Sequence, residues 1–160
     1  MKNIKIKAGF MKLAINQARK NIKKLDGGPF GACIVKNGKV LAVARNTVLK
    51  NDATCHAEIN AIRKASRRLK SFDLSGSVIY STTEPCPMCY SAIHWAKIDG
   101  IFFGTRIQDA KNFGFNELTI TNRQLGKLGR SKIRLTADVM RNDCLKLLRD
   151  WDIIPEKTLY

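Results

Sequence analysis

The residues best equipped for chemistry sit in two short stretches. His56-Ala57-Glu58 offers an imidazole and a carboxylate, and Pro85-Cys86-Pro87-Met88-Cys89 offers two thiols. An imidazole nitrogen and two thiolates can hold one zinc ion per chain. Three protein ligands leave the fourth tetrahedral position open for water, which separates a catalytic zinc site from a closed structural one. Glu58 need not be a ligand: a carboxylate beside an activated water can take its proton and pass it to a substrate. The expected centre is His56, Cys86 and Cys89 on the metal, with Glu58 as general acid and base.

Each half alone says little. A lone Cys-x-x-Cys fits a redox motif or half a zinc knuckle, and a lone His-x-Glu fits nothing in particular. A structural zinc would want a fourth ligand. Cys55 is the candidate, but it is adjacent to His56 at a helix start, where neighbouring side chains point apart. A basic zinc module that binds nucleic acid would also need four ligands, and would have no use for Glu58. The chain has five cysteines. That odd number, with no secretion signal in Met1 to Lys7, argues against a disulfide framework. Cys33 and Cys144 fall on apolar faces and read as core, and His94, within a helix, carries no assigned role.

Positioning these groups takes an alternating set of elements. Phe10–Leu25 reads as an amphipathic helix, with Met11, Ala14, Ile15, Ala18, Ile22 and Leu25 on one face and lysines opposite. Ala32–Val35 and Val40–Ala44 read as strands about Asn37-Gly38, a strong hairpin turn. His56–Leu69 is a second helix, with Ile59, Ile62 and Leu69 inward. Ser77–Ser81, Ile101–Gly104 and Lys132–Thr136 are strands, Pro87–Lys97 is a third helix, and a loop region follows Gly104. Asp138 can cap a final helix bearing Val139, Met140, Cys144, Leu147, Leu148 and Trp151. This order implies an α/β fold with a mixed five-stranded sheet and helices on both faces, a three-layer α/β/α arrangement. Both motifs open helices, whose positive dipole ends favour thiolates and face the crevice at one end of such a sheet.

The 160 residues are read as one domain, 1–160, with 153–160 as a C-terminal tail. No apolar run approaches the ~20 residues that cross a bilayer, so a soluble, cytoplasmic protein without a membrane partner is expected. The formal net charge is +16, and residues 1–70 carry 17 basic residues against 3 acidic ones. Such a field suits RNA, and suits solvated helix faces equally well.

The order His-x-Glu then Pro-Cys-x-x-Cys is the pattern of zinc deaminases of nucleobases. With Gly27-Gly28-Pro29-Phe30-Gly31-Ala32, His56-Ala57-Glu58-Ile59 and Glu84-Pro85-Cys86-Pro87-Met88-Cys89, the chain resembles the cytidine deaminase-like superfamily from about Gly27 to Trp151. It is closest to the purine-base branch. The resemblance implies hydrolytic deamination, with water adding to an amine-bearing ring carbon and ammonia leaving. Gly27–Phe30, Ile93-His94-Trp95-Ala96 and Gly114-Phe115-Asn116-Glu117 resemble segments of the guanine deaminases; the tRNA adenosine deaminases are the other branch. On this resemblance Glu117 is a second catalytic carboxylate, and Phe30, Asn46, Ala57, Trp95 and Tyr160 contact a small purine base. Homodimers are expected, with a tail that can cross to the partner's site.

Overall fold

The computed structural model describes residues 7–160. The reading of Met1 to Lys7 as lacking a leader core falls, Lys7 apart, outside them. The elements are α1 (Ala8–Lys24), β1 (Gly31–Lys36), β2 (Lys39–Arg45), α2 (Ala57–Leu69), β3 (Ser77–Thr83), α3 (Pro87–Trp95), β4 (Gly100–Thr105), α4 (Ile107–Asn112), α5 (Asn122–Leu128), β5 (Arg134–Thr136) and α6 (Arg141–Asp152). The five-stranded sheet has the order β2-β1-β3-β4-β5. β1 runs antiparallel to both neighbours, while β3, β4 and β5 are parallel.

Strand alternation divides the core into two layers. Ile34, Ile79, Ile101 and Phe103 pack on one face against α2 and α3, together with Ala61 and Ala65. Cys33, Val35, Val78, Tyr80 and Phe102 pack on the other against α1 and α6, with Met11, Ala14, Ala18 and Leu147. The expected three-layer arrangement is therefore present. In the β1–β2 turn, Asn37 and Gly38 both have positive φ, as a type I′ hairpin turn requires. Beyond it the register shifts between Ile34 and Val35, so that Leu41 bulges.

Several boundaries and faces differ from expectation. α2 turns its alanines to the sheet, with Ala57, Ala61 and Ala65 buried, while Leu69 is exposed. Small side chains let the helix sit close to the strands, and the larger apolar residues flank that contact. Asp138 does not cap α6. Met140 does, with left-handed φ and no side-chain bond, because the Asp138 carboxylate is engaged by Arg106 and Arg141. The region read as loop contains α4 and α5. α5 is capped by Thr121, whose hydroxyl accepts the Gln124 N–H while Gln124 accepts that of Thr121.

Part of the basic surface has a structural use. Lys64 donates to the Val43 carbonyl, and Arg68 to those of Val40 and Leu41, covering carbonyls of the edge strand β2 at its bulge. Among the described residues no helix is long and apolar enough to cross a membrane.

Candidate active site

Both chemical motifs land at helix starts: His56 after the loop that follows β2, and Cys86 directly after β3. His56 is the N-cap of α2 and Cys86 the N-cap of α3, each with extended backbone, so each precedes its helix rather than belonging to it. Cys89 follows in the first turn of α3, and Glu58 in the first turn of α2. The ligand atoms of His56, Cys86 and Cys89 all lie within 4.8 Å of one another. Cys86 Sγ is 3.6 Å from His56 Nδ1. Zinc bonds of about 2.3 Å to sulfur and 2.0 Å to nitrogen place tetrahedral donors about 3.5 Å apart, so the set fits a metal of that kind.

The electrostatics agree with that fit. The hydrogen bond from Cys89, followed by the His56 imidazole, holds the Cys86 thiol down to about 4 against the opposing effect of burial. Burial pushes the Cys89 thiol well up, so its ionised form needs a cation beside it. Burial works to lower the His56 pKa, but Cys86, Glu58 and Glu117 outweigh it and the net direction is up. Cys55 takes no part: its thiol faces the Asp52 carboxylate and the Arg63 guanidinium. No fourth protein ligand stands with the three among the described residues.

Glu58 is buried, and burial raises its pKa, with the His56 charge and the Ser81 hydroxyl opposing. Ser81 Oγ donates to Glu58 Oε1 at 2.5 Å, and Cys89 Sγ lies 3.4 Å from Oε2. The carboxylate is thus fixed from β3 on one side and faces the ligand set on the other.

A cavity of about 260 Å³ opens over these groups, bounded by Phe30, Asn46, His56, Glu58, Cys86, Phe115, Glu117 and Tyr160 among others. That lies just below the range of drug-sized pockets, about 300–1,000 Å³, and suits a small ligand. Phe30 and Phe115 meet edge to face at 4.8 Å, and Tyr160 meets Phe115 likewise at 5.8 Å. The Tyr160 hydroxyl accepts the Gly28 N–H at 2.7 Å, so the tail folds back over its own chain's cavity. Burial, then the Cys86 charge, raises the Glu117 carboxyl to about 7. A larger groove of about 1190 Å³ lies at the opposite end of the sheet beside Lys97, Lys132 and Arg134; none of the ligand set lines it.

Two expected contacts are not met within the chain. Trp95 is 74 % exposed at the end of α3 and does not line the cavity. Ala57 is buried with its methyl group in the core, so it could reach a ligand only through its backbone. Conversely, sequence reasoning missed Ser81 and Glu84. Glu84 is buried and accepts the N–H of Asn122 at 2.8 Å and that of Ile107 at 3.4 Å. Asn122 Nδ2 donates back to the Pro85 carbonyl at 2.5 Å. Glu84 thereby ties the cysteine loop to the segment carrying Phe115 and Glu117. Its place beside Pro85-Cys86 was a visible signal.

This fold, with two helix N-termini presenting His, Cys and Cys around a buried carboxylate, defines a deaminase-type hydrolase. Residues 4–105 match the sequence pattern of the cytidine and deoxycytidylate deaminase zinc-binding region. The chain belongs to that family. It is 42% identical over 109 residues to the guanine deaminase of Bacillus subtilis (strain 168), covering 68% of this chain and 70% of that protein. It is 35% identical over 124 residues to a tRNA-specific adenosine deaminase of Buchnera aphidicola subsp. Schizaphis graminum (strain Sg), covering 77% and 79%. A solved guanine deaminase structure from Nitrosomonas europaea superposes with TM-score 0.85 at 27% identity, covering 96% of this chain and 88% of that one.

Proposed function

We propose that the chain is a zinc-dependent guanine deaminase, converting guanine and water to xanthine and ammonia. The observation that carries this reading is the convergence of Glu117, Asn46 and Phe30 on the small cavity that holds Glu58. The similarity to guanine deaminases supports it. His56, Cys86 and Cys89 hold one zinc ion, which when bound supplies Lewis-acid activation of water for attack at the amine-bearing carbon. Glu58 would accept a proton from the attacking water and deliver it to a ring nitrogen of the base. Glu117, raised to about 7, can hold a proton near neutral pH and pass it to the leaving amine, and the second proton of the added water restores it as the new carbonyl forms. Phe30 stacks on the base, the Asn46 amide reads its edge, and Tyr160 closes the cavity in cis. Trp95, exposed at the end of α3, is available to a second copy of the chain.

A second reading, a tRNA adenosine deaminase, is favoured by the surplus of basic residues in residues 1–70 and by the similarity to tRNA-specific enzymes. Ammonia release from guanine, guanosine, cytosine and a tRNA anticodon stem-loop separates the two. Turnover of free guanine is expected; an edited stem-loop with inert guanine would reverse the choice. Glu58→Gln is expected to keep zinc and lose turnover, and retained activity would sink the mechanism.

A further inference from the structure

Asn21 belongs to none of the motifs that mark the site. It lies near the end of α1 and is completely buried. Its Nδ2 donates to the carbonyls of Gly28 and Asn46, both at 2.8 Å. Its Oδ1 accepts Arg45 Nε at 2.8 Å, and Arg45 is ion-paired with Asp26. Both amide hydrogens and the amide oxygen are therefore engaged.

The two carbonyls belong to separate stretches of chain. Gly28 leads into Phe30, and Asn46 follows β2. The Asn46 N–H donates to the Phe30 carbonyl at 3.0 Å, which sets one point of their approach. Asn21 adds a second point from behind. Asn46 is held further at its Oδ1, which accepts the Val48 N–H at 3.0 Å. A Cβ on Gly27 would overlap that same oxygen, so the loop passes there only as glycine. Asn21 itself does not line the cavity.

We propose that Asn21 is a positioning residue for substrate recognition: one buried amide fixes the Phe30 loop and Asn46 at the separation a planar purine needs between them. This rests on the reading of the cavity as a purine site. An apolar side chain could fill the same space, but it would leave the buried Asn46 carbonyl and the half-buried Arg45 Nε–H without these partners, and the Gly28 carbonyl with the Phe30 N–H alone. Those groups relax toward other partners, and the recognition wall moves with them. The metal ligands and Glu58 stand at the N-terminal ends of α2 and α3, and neither helix makes a hydrogen bond to Asn21. The effect therefore falls on binding more than on the chemical step.

The test uses Asn21→Ala and Arg45→Lys in the zinc-loaded protein. Zinc per chain, thermal stability, kcat and KM for guanine are measured. Equilibrium dialysis with labelled guanine gives Kd in a Glu58→Gln background, without turnover. At roughly 1 kcal/mol per lost bond, KM and Kd are expected to rise about tenfold or more in Asn21→Ala, and about fivefold in Arg45→Lys. Zinc stays at one per chain, and kcat changes less than KM. Unchanged Kd with lowered thermal stability would show a merely structural amide and overturn the proposal, as would a loss in kcat alone. If Asn21→Ala does not fold, Arg45→Lys decides: it keeps the amide but removes the Nε–H bond that orients it, so both carbonyl bonds loosen. If the wild-type protein edits the stem-loop and ignores guanine, the guanine reading fails. The same variants are then scored by KM and Kd for the stem-loop.

Discussion

Removing one oxygen atom from Ser81 tests whether Glu58 works from a fixed position. Ser81 is 1 % exposed on β3, and its Oγ donates to Glu58 Oε1 at 2.5 Å. In the sheet it pairs with Ala32 on β1 and Phe103 on β4, so the backbone of Ser81→Ala stays held and only the hydroxyl is lost. A hydrogen bond to a charged group contributes about 1.5–3 kcal/mol. If that bond aims the carboxylate at the ligand set, most of its value appears in the barrier. At about 1.4 kcal/mol per decade, kcat falls roughly 10- to 150-fold. KM should change little, because Ser81 does not line the cavity. Ammonia release gives the kinetics, metal analysis checks zinc per chain, and thermal melting checks folding. A Ser81→Ala protein with full zinc and kcat within about twofold of wild type would refute the reasoning, since the same bond cannot be both present and idle on those magnitudes.

Three further outcomes are expected. In the metal-free chain Glu117 has a folded pKa of about 7 against an ordinary 4.5, so the folded state holds the proton more tightly and loses stability as pH rises through that window. The melting temperature of Glu117→Gln minus that of wild type should therefore grow between those pH values, and a flat difference would contradict the burial argument. Chelating the metal should abolish turnover and lower the melting temperature, with both restored by zinc; Cys89→Ser should resist restoration, whereas full recovery would remove Cys89 from the ligand set. Trp95 and Leu128 are 74 % and 81 % exposed on the adjacent helices α3 and α5. Trp95→Arg is expected to shift the light-scattering mass from two chains to one, and an unshifted dimer would place the pairing elsewhere.

The chemistry was legible in the sequence because its residues are local. His56 and Glu58 lie in one turn and Cys86 and Cys89 in another, so ligand spacing and helix starts suffice to read them. The sheet was legible for a related reason: Asn37-Gly38 fixes the hairpin, and short continuous apolar runs mark β1, β3 and β4. α4 and α5 escaped because they are short and carry little apolar periodicity, although Thr121 and Gln124 form a capping box readable in the chain. Asp138 misled because the same carboxylate that can cap a helix can also pair with arginines, and only the fold brings Arg106 and Arg141 to it. Asn21 and Ser81 were invisible for the strongest reason. Asn21 reaches the Asn46 carbonyl 25 residues away and Ser81 reaches Glu58 23 residues away, and no local pattern announces a buried polar side chain whose use depends on tertiary contact.

The site divides into two parts that rest on different supports. The ligand half rests on two helix N-termini and on Glu58, all fixed by α2, α3 and β3. The recognition half is assembled from the Phe30 loop, Asn46, the Phe115–Glu117 segment and the tail, each on a different stretch of chain. Glu84 is the joint between them, since it sits beside Pro85-Cys86 while its carboxylate holds the N–H groups at the starts of α4 and α5. On the proposed roles, substitutions at Phe30 and Asn46 would exchange one amine-bearing base for another while leaving Glu58 and its Ser81 partner in place. Loss of the Glu84 clamp would free Glu117 from the metal side and affect both halves at once. The chain is similar both to a guanine deaminase and to tRNA-specific adenosine deaminases, so on the proposed roles the choice of base falls to the cavity wall formed by Phe30 and Asn46 and not to His56, Cys86 and Cys89.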